Sequence, residues 1–181
     1  MKKIKIHSEA LVASLIEIPF FQSLSRKDLE DLSEICDVET YEDGEWLIKE
    51  GSLSKKLFAI LEGTVLISSK TESNKRVELA TLEQGAIVGE TSLFTKEPST
   101  ADVTAKGNLI VMGMSQKCFI SFINSHQSAG LKMLTFIIYG LIEKLRESNK
   151  AMISEKELYV SLEDIESLKD LFPTTEDILE Q

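Results

Sequence analysis

An α+β fold, with a small antiparallel β-domain of sandwich, roll or jelly-roll type set between helices, is what three features of this sequence predict. Between about residues 37 and 114 the apolar residues fall in short runs punctuated by Gly44, Gly51, Gly63, Gly85, Gly89, Gly107 and Gly113. That is the pattern of many short strands joined by turns. On both sides of this stretch the apolar positions recur every three or four residues, as one face of a helix does. Finally, 181 residues, 43% of them hydrophobic and 28% charged, suffice for a core that buries roughly 70% of the unfolded surface without a metal or disulfide staple. Collagen-like, disordered and disulfide-framework classes are excluded.

The elements follow in order. Leu11, Leu15 and Ile18 predict a helix over 8–17, ending before Pro19, whose predecessor is pushed out of the α region. Ser25 with Asp28 three positions on reads as a capping box opening a second helix, with Leu29, Leu32, Ile35 and Cys36 on one face. Strands are predicted near 45–49, 57–61, 64–69, 76–82, 86–88, 101–105 and 109–114, with turns at Asp43-Gly44, Glu62-Gly63 and Lys106-Gly107-Asn108. Ser115 is a candidate N-cap for a helix carrying Phe119, Phe122 and Ile123. A longer helix follows over 128–150. Within it Leu131, Leu134, Ile138, Leu141 and Leu145 alternate spacings of three and four, a coiled-coil seam. Phe136, Ile137 and Ile142 lie off the seam, so the helix has apolar surface both for its own domain and for a second copy. A homodimer through 128–150 is expected.

The formal net charge is −10, from 20 Lys+Arg against 30 Asp+Glu, which disfavours general nucleic-acid affinity. Residues 151–181 hold Lys156 and Lys169 against nine acids and read as a distinct acidic tail. Within it Leu158, Leu162, Ile165, Leu168 and Phe172 keep helical spacing before Pro173. Cys36 and Cys118 lie in apolar helical contexts and read as core residues of a reducing compartment. The basic start Met1-Lys2-Lys3 is followed by no uninterrupted apolar segment, so neither a secretory leader nor a membrane span is expected, and the expected location is cytoplasmic. His7 and His126 have no companion at metal-ligand spacing, and no catalytic constellation or phosphate loop of the Walker type occurs. A non-enzyme without metal or cofactor is expected.

One segment is compact enough to carry chemistry: Val88-Gly89-Glu90-Thr91-Ser92-Leu93-Phe94, followed by Glu97-Pro98-Ser99-Thr100-Ala101. A strand ends at a glycine, whose missing Cβ lets backbone approach a ligand, and a helical turn opens with N–H groups suited to an anion. Glu90 fits such a site if it accepts from sugar hydroxyls while the amides hold a phosphate. Taken alone, such a segment is more often just a tight turn.

The order Ile18-Pro19-Phe20-Phe21, Gly44-Glu45, Ile48-Lys49-Glu50-Gly51, Leu57-Phe58-Ala59-Ile60-Leu61-Glu62-Gly63, Gly89-Glu90 and Pro98-Ser99-Thr100-Ala101, followed by a long helix, resembles the cyclic-nucleotide-binding domain of catabolite activator proteins, kinase regulatory subunits and nucleotide-gated channels. The resemblance implies a double-stranded β-helix (an eight-stranded β-roll of jelly-roll type) with N-terminal helices and a long C-terminal helix. Its boundaries here are an N-terminal helix at 1–17, the domain at 18–150 with its roll at 37–114 and helices at 115–150, and the tail at 151–181. It implies a phosphate-binding cassette over about 88–101, with the backbone of Glu90, Thr91 and Ser92 at the cyclic phosphate of cAMP or cGMP. Val88 and Gly89 lead in, Glu90 takes the ribose hydroxyl, and Thr100 and Ala101 add contacts. Ser148 and Asn149, late on the long helix, match positions that read the base.

Two departures stand out. The family places an arginine where this chain has Ser99, and losing one charged hydrogen bond weakens binding roughly 10- to 150-fold. Three readings follow: Lys96 or Lys106 supplies the charge, the pocket takes a less anionic ligand, or the roll is a ligand-free interaction scaffold. In addition, the 31 residues from 151 onward are too few and too acidic for a helix-turn-helix unit, so output through an unidentified protein partner, not through DNA, is expected. The implied role is a regulatory sensor in which Leu93 and Phe94 pack against Phe122 or Phe136 in one ligand state.

Overall fold

The computed structural model describes residues 1–71 and 73–169, with side chains described to residue 150. It separates into two units, Met1–Ile137 and Ile138–Gln181. In chain order the first unit holds β1 (Lys2–Ile4), α1 (Ser8–Ile16), α2 (Arg26–Ile35), β2 (Asp37–Tyr41), β3 (Trp46–Ile48), β4 (Lys56–Lys70), β5 (Arg76–Glu83) and β6 (Ile87–Val88). A 3₁₀ turn at Thr91–Leu93, β7 (Asp102–Ser115), α3 (Gln116–Ser125) and the start of α4 (Gln127–Lys169) complete it. Both units share α4. The predicted tail helix is continuous with it as far as Lys169, whereas the tail's apolar positions lie outside the residues whose side chains are described.

Every strand pairing is antiparallel, in an open path β1-β2-β7-β4-β5, with β3 on β7 and β6 on β4. The fold is the expected helix-flanked β-roll, with seven strands among the described residues. Two predicted turns are not turns. Residues 57–61 and 64–69 form the single strand β4, and 102–105 and 109–114 belong to the single strand β7, the two pairing from Lys56↔Ser115 to Ser68↔Asp102 with an interruption at Gly63 and residues 107–109. The breaks read at Gly63 and Gly107 are places where these strands bend: the β4–β7 register shifts on both sides of Glu62. Gly63 has φ +94°, and a Cβ there would collide with the Asn108 carbonyl. The glycine marks strand crowding, not chain reversal.

Alternation along β4 divides the core. Leu57, Ala59 and Leu61 face a cluster built with Leu11, Leu15, Phe21, Leu32, Phe119 and Phe122 of the helical layer. Phe58 and Ile60 face the roll interior with Tyr41, Ile48, Val65, Val88, Val103 and Val111. A strand buried on both faces reads as one continuous apolar run, as Leu57–Leu61 does. Both predicted caps form. Ser25 Oγ accepts from the Asp28 amide while Asp28 accepts from the Ser25 amide, and Ser115 Oγ accepts from the Cys118 amide. His126 is the C-cap of α3. Its Nε2 is 2.9 Å from Asp31 Oδ2, and its ring stacks on Phe122 with centroids 4.4 Å apart. That contact fixes the junction between α3 and α4 against α2.

Candidate functional site

The cassette begins where β6 ends. Val88 pairs with Phe58 on β4, so the next residue passes close over the β4 backbone. Gly89 has φ +80°, and a Cβ there would lie 2.5 Å from the Lys56 carbonyl oxygen and 3.0 Å from Ile48. Only glycine fits both demands. Glu90 then turns inward and is 7% exposed. The 3₁₀ turn closes on itself: the amides of Ser92, Leu93 and Phe94 donate to the carbonyls of Gly89, Glu90 and Thr91 at 3.2, 3.2 and 3.0 Å. The Ser92 hydroxyl is within bonding distance of Gly89 O (2.6 Å) and Lys56 O (3.2 Å). Thr91 is exposed and Ser92 buried.

The far end of the cassette is held to the β3–β4 loop. The Ser99 amide donates to Ser52 O at 2.9 Å, and the Gly51 amide donates to Ser99 O at 2.8 Å. The Ser69 hydroxyl donates to Thr100 O at 3.2 Å. Ser99 and Ala101 are half-buried and Thr100 is exposed. Between the two ends, Lys96, Glu97 and Pro98 are exposed.

Three features that the sequence did not disclose surround the cassette. Beneath Gly89, the Glu39 carboxylate, 1% exposed, takes Lys56 Nζ at 2.7 Å and the Tyr41 hydroxyl at 2.7 Å. Burial and the adjacent Glu39 push the Tyr41 phenol up from its ordinary value. Just beyond Ala101, Asp102, 3% exposed, pairs with the Arg76 guanidinium at 2.5 Å and accepts from the Glu50 amide at 2.7 Å. Glu50 in turn accepts from the Ser69 hydroxyl and the Lys70 amide. The third feature is the Gln116 side-chain amide, which donates to Leu93 O at 2.6 Å and ties the 3₁₀ turn to the start of α3.

Leu93 is in the helical core, but Phe94 packs edge-on against Phe119, with centroids 5.9 Å apart. Phe122, which shares the helical core cluster with Leu93, also stacks on His126, and Phe136 meets Phe20 edge-on. Of the two lysines considered as arginine substitutes, Lys106 pairs with Thr64, whereas the cassette end Asp102 pairs with Ser68. Four residues of strand separate them, about 13 Å, so Lys106 is at the wrong end of β7. Lys96 is on the exposed stretch. Ser148 and Asn149 are exposed on α4 in the second unit. No cluster of three or more His, Cys, Asp or Glu side chains able to hold a metal occurs among the described residues.

The roll carries a glycine-led turn with the buried Glu90 at the end of β6, and residues 38–126 match the family model of the cyclic nucleotide-binding domain. Over those residues the chain is therefore assigned to the cyclic nucleotide-binding domain family. It is 27% identical over 124 residues to the cGMP-dependent protein kinase egl-4 of Caenorhabditis elegans, an alignment covering 67% of this chain and 16% of that protein. A cyclic nucleotide-binding domain from Methylobacillus flagellatus superimposes with a TM-score of 0.70 at 21% identity, covering 82% of this chain and 83% of that one. A regulatory subunit of a cAMP-independent protein kinase A from Trypanosoma cruzi, bound to guanosine, does so with a TM-score of 0.60 at 23% identity, covering 65% and 41%. The chain spans less than a third of the length of the curated relatives it matches.

Proposed function

We propose that this protein is a cytoplasmic, non-catalytic sensor whose cassette, residues 88–101, binds a nucleotide-like ligand with a weakened hold on phosphate, and which signals through a homodimer helix to a protein partner. The observation that carries the reading is Glu90, buried beside a left-handed glycine pressed onto the β4 backbone. A buried carboxylate at a strand end has the chemistry to accept ribose hydroxyls, and Ser99 in place of a cation lowers affinity for an anion. The guanosine bound to the Trypanosoma cruzi neighbour supports a ligand of nucleoside dimensions.

The output side rests on α4. Of the five seam positions, Leu131, Ile138, Leu141 and Leu145 are exposed, between 37% and 67%, and Leu134 packs on the helical core. An apolar stripe at heptad spacing on an exposed helix is stabilised by a second copy. In the dimer, Ser148 and Asn149 are the candidates for reaching a base edge. No helix among the described residues is long and apolar enough to cross a membrane.

Two measurements test the proposal. Calorimetric titration with cAMP and cGMP, run on the wild type and on Ser99→Arg, should show at least a tenfold gain for the variant. Absence of binding in both assigns the roll to a ligand-free interaction module instead. Sedimentation equilibrium should give a dimer that Ile138→Asp with Leu145→Asp converts to monomer, and a monomeric wild type would remove the helix from the mechanism.

A further inference from the structure

We infer that the face formed where the β3–β4 loop, the 3₁₀ turn and the start of α3 meet, around Phe94, is a docking surface for an acidic, amphipathic peptide segment of a partner protein. The inference deepens the proposed output through a protein partner, naming the surface and the chemistry of what binds it, and it requires no ligand in the cassette.

Hydrogen bonds bring the three segments together. The Gln116 amide donates to Lys55 O at 2.8 Å, joining the loop to α3. The Gln116 side-chain amide donates to Leu93 O at 2.6 Å, and the Ser92 hydroxyl is 3.2 Å from Lys56 O, joining the turn to both. Three large apolar side chains stand in solvent on these segments: Leu53 is 63% exposed, Phe94 52% and Ile120 52%. Phe94 meets Phe119 edge-on at 5.9 Å between centroids, so its ring is held in place while half of it stays open. Apolar side chains gathered in this way mark a contact surface, and a held aromatic ring is the kind of group on which binding energy concentrates.

Charge on these segments runs against the rest of the chain. The chain has 30 Asp+Glu against 20 Lys+Arg, yet residues 51–56, 91–96 and 116–125 contain no acid and carry Lys55, Lys56, Lys96 and Lys117. Lys56 is neutralised by Glu39. Lys55, Lys96 and Lys117 are exposed and form no ion pair among the described residues. Of the acids that border these segments in sequence, Glu50 is engaged by Ser69 and Lys70, Glu90 is buried, and Glu97 is exposed. Lysines around an apolar centre complement a segment whose apolar anchor is flanked by Asp or Glu. At physiological ionic strength charges are screened beyond about 8 Å, so a peptide covering this face meets its lysines and not the net charge of −10. An anionic membrane or a nucleic acid is extended and also faces the surrounding acids, which favours the peptide.

The test is selection from a phage-displayed library of random dodecapeptides on the full chain, with counter-selection on the variant Lys55→Glu with Lys96→Glu and Lys117→Glu. Enriched peptides should carry a net charge of about −3 or below and at least one aromatic or leucine residue. A synthetic copy of the most enriched peptide, followed by fluorescence polarisation, should bind about fivefold more weakly at about 300 mM salt than at about 50 mM. Phe94→Ala and, independently, Ile120→Ser should each weaken it about tenfold, with circular dichroism showing that both variants are folded. Lys70→Glu with Lys75→Glu, which reverses two exposed cations at the β4–β5 turn, should bind it as the wild type does. A library that yields no peptide dependent on the three lysines overturns the inference, as do enriched peptides that are neutral or basic, or equal weakening by the Lys70 and Lys75 substitutions. Phe94-dependent sedimentation with phosphatidylserine vesicles assigns the face to a lipid surface and overturns it too. Each of these failures leaves the nucleotide titration and the dimer measurement as they stand, so it is distinguishable from failure of the sensor reading.

Discussion

Replacing Lys56 by Met isolates the buried ion pair beneath the cassette. Methionine keeps the length of the stem, so packing changes little, but the Glu39 carboxylate, 1% exposed, is left with the Tyr41 hydroxyl as its remaining hydrogen-bond partner. Removing one partner of a fully buried pair costs about 3–5 kcal/mol. Here the Lys56 side chain is 35% exposed, so water reaches the vacated position and the lower end, about 3 kcal/mol, is expected. For a chain of this size that is a fall in Tm of roughly 6–12 °C. The assay is urea unfolding followed by far-ultraviolet circular dichroism, on Lys56→Met, Glu39→Gln and the double variant. The double variant should recover to within about 1 kcal/mol of the wild type, because a neutral amide still accepts from Tyr41 and no charge is stranded. A coupling energy of at least about 1.5 kcal/mol across the cycle is therefore expected. A loss below about 0.5 kcal/mol in Lys56→Met, or strict additivity of the two single variants, refutes the reasoning.

Gly89→Ala combines left-handed backbone strain, about 1–2 kcal/mol, with a Cβ 2.5 Å from the Lys56 carbonyl; ligand binding should be lost while the helical core, read by circular dichroism, persists. Burial pushes the Cys36 thiol up from 9.0 to about 12, so at pH 8 its thiolate fraction is about a thousandfold below that of an ordinary thiol. Iodoacetamide followed by mass spectrometry should leave Cys36 unmodified in the folded protein and modify it in urea; rapid labelling of the native state would contradict this. Because the folded pKa lies above the unfolded one, the linked stability is complete below pH 9 and declines as pH rises from about 9 toward 12. Gln116→Ala removes the hydrogen bond to Leu93 O and should cost about 1 kcal/mol. Paired with Phe94→Ala, which removes the edge contact to Phe119, it should shift ligand affinity and partner binding together; independent shifts would sever the cassette from α3.

The helices and caps were legible because their signals are local. Ser25 and Asp28, or Ser115 and the amide three residues on, carry their own geometry. The strand end at Val88 and the turn after Gly89 were legible for the same reason. β2 was not, because Val38 and Glu39 are both buried and the alternation that announces a strand is absent. β1 was missed because its residues Lys2–Ile4 are exposed and polar in pattern, and it is placed by its pairing with β2 and by ion pairs of Met1 with Glu45 and Lys3 with Asp37. The glycines at 63 and 107 misled because a positive φ serves a bend inside a strand as well as a reversal between strands. Around the site, the partners of Lys56 and Arg76 lie 17 and 26 positions away. They are brought together by register alone, so no spacing rule could have found them.

The ties on the cassette decide how occupancy can be transmitted. Its start is fixed to β4 through Ser92 and the Gly89 approach to Lys56, and its end to the β3–β4 loop and β4 through Ser99 and Thr100. Both anchors sit on a frame whose buried charges are paired, so neither end can shift far without stranding a carboxylate. The stretch Lys96–Pro98 is exposed and has no hydrogen bond to that frame or to a helix among the described residues. The ties from the cassette to the helices run through the 3₁₀ turn, whose Leu93 carbonyl is held by Gln116 and whose Phe94 ring lies against Phe119. α3 is in turn joined to α4 at His126, held by Asp31. On the proposed function, a ligand that pulls on Glu90 acts one residue from that turn, whereas one held at residues 99–101 acts on the anchored end, so the proposal couples binding to the helices through Glu90 more than through residues 99–101.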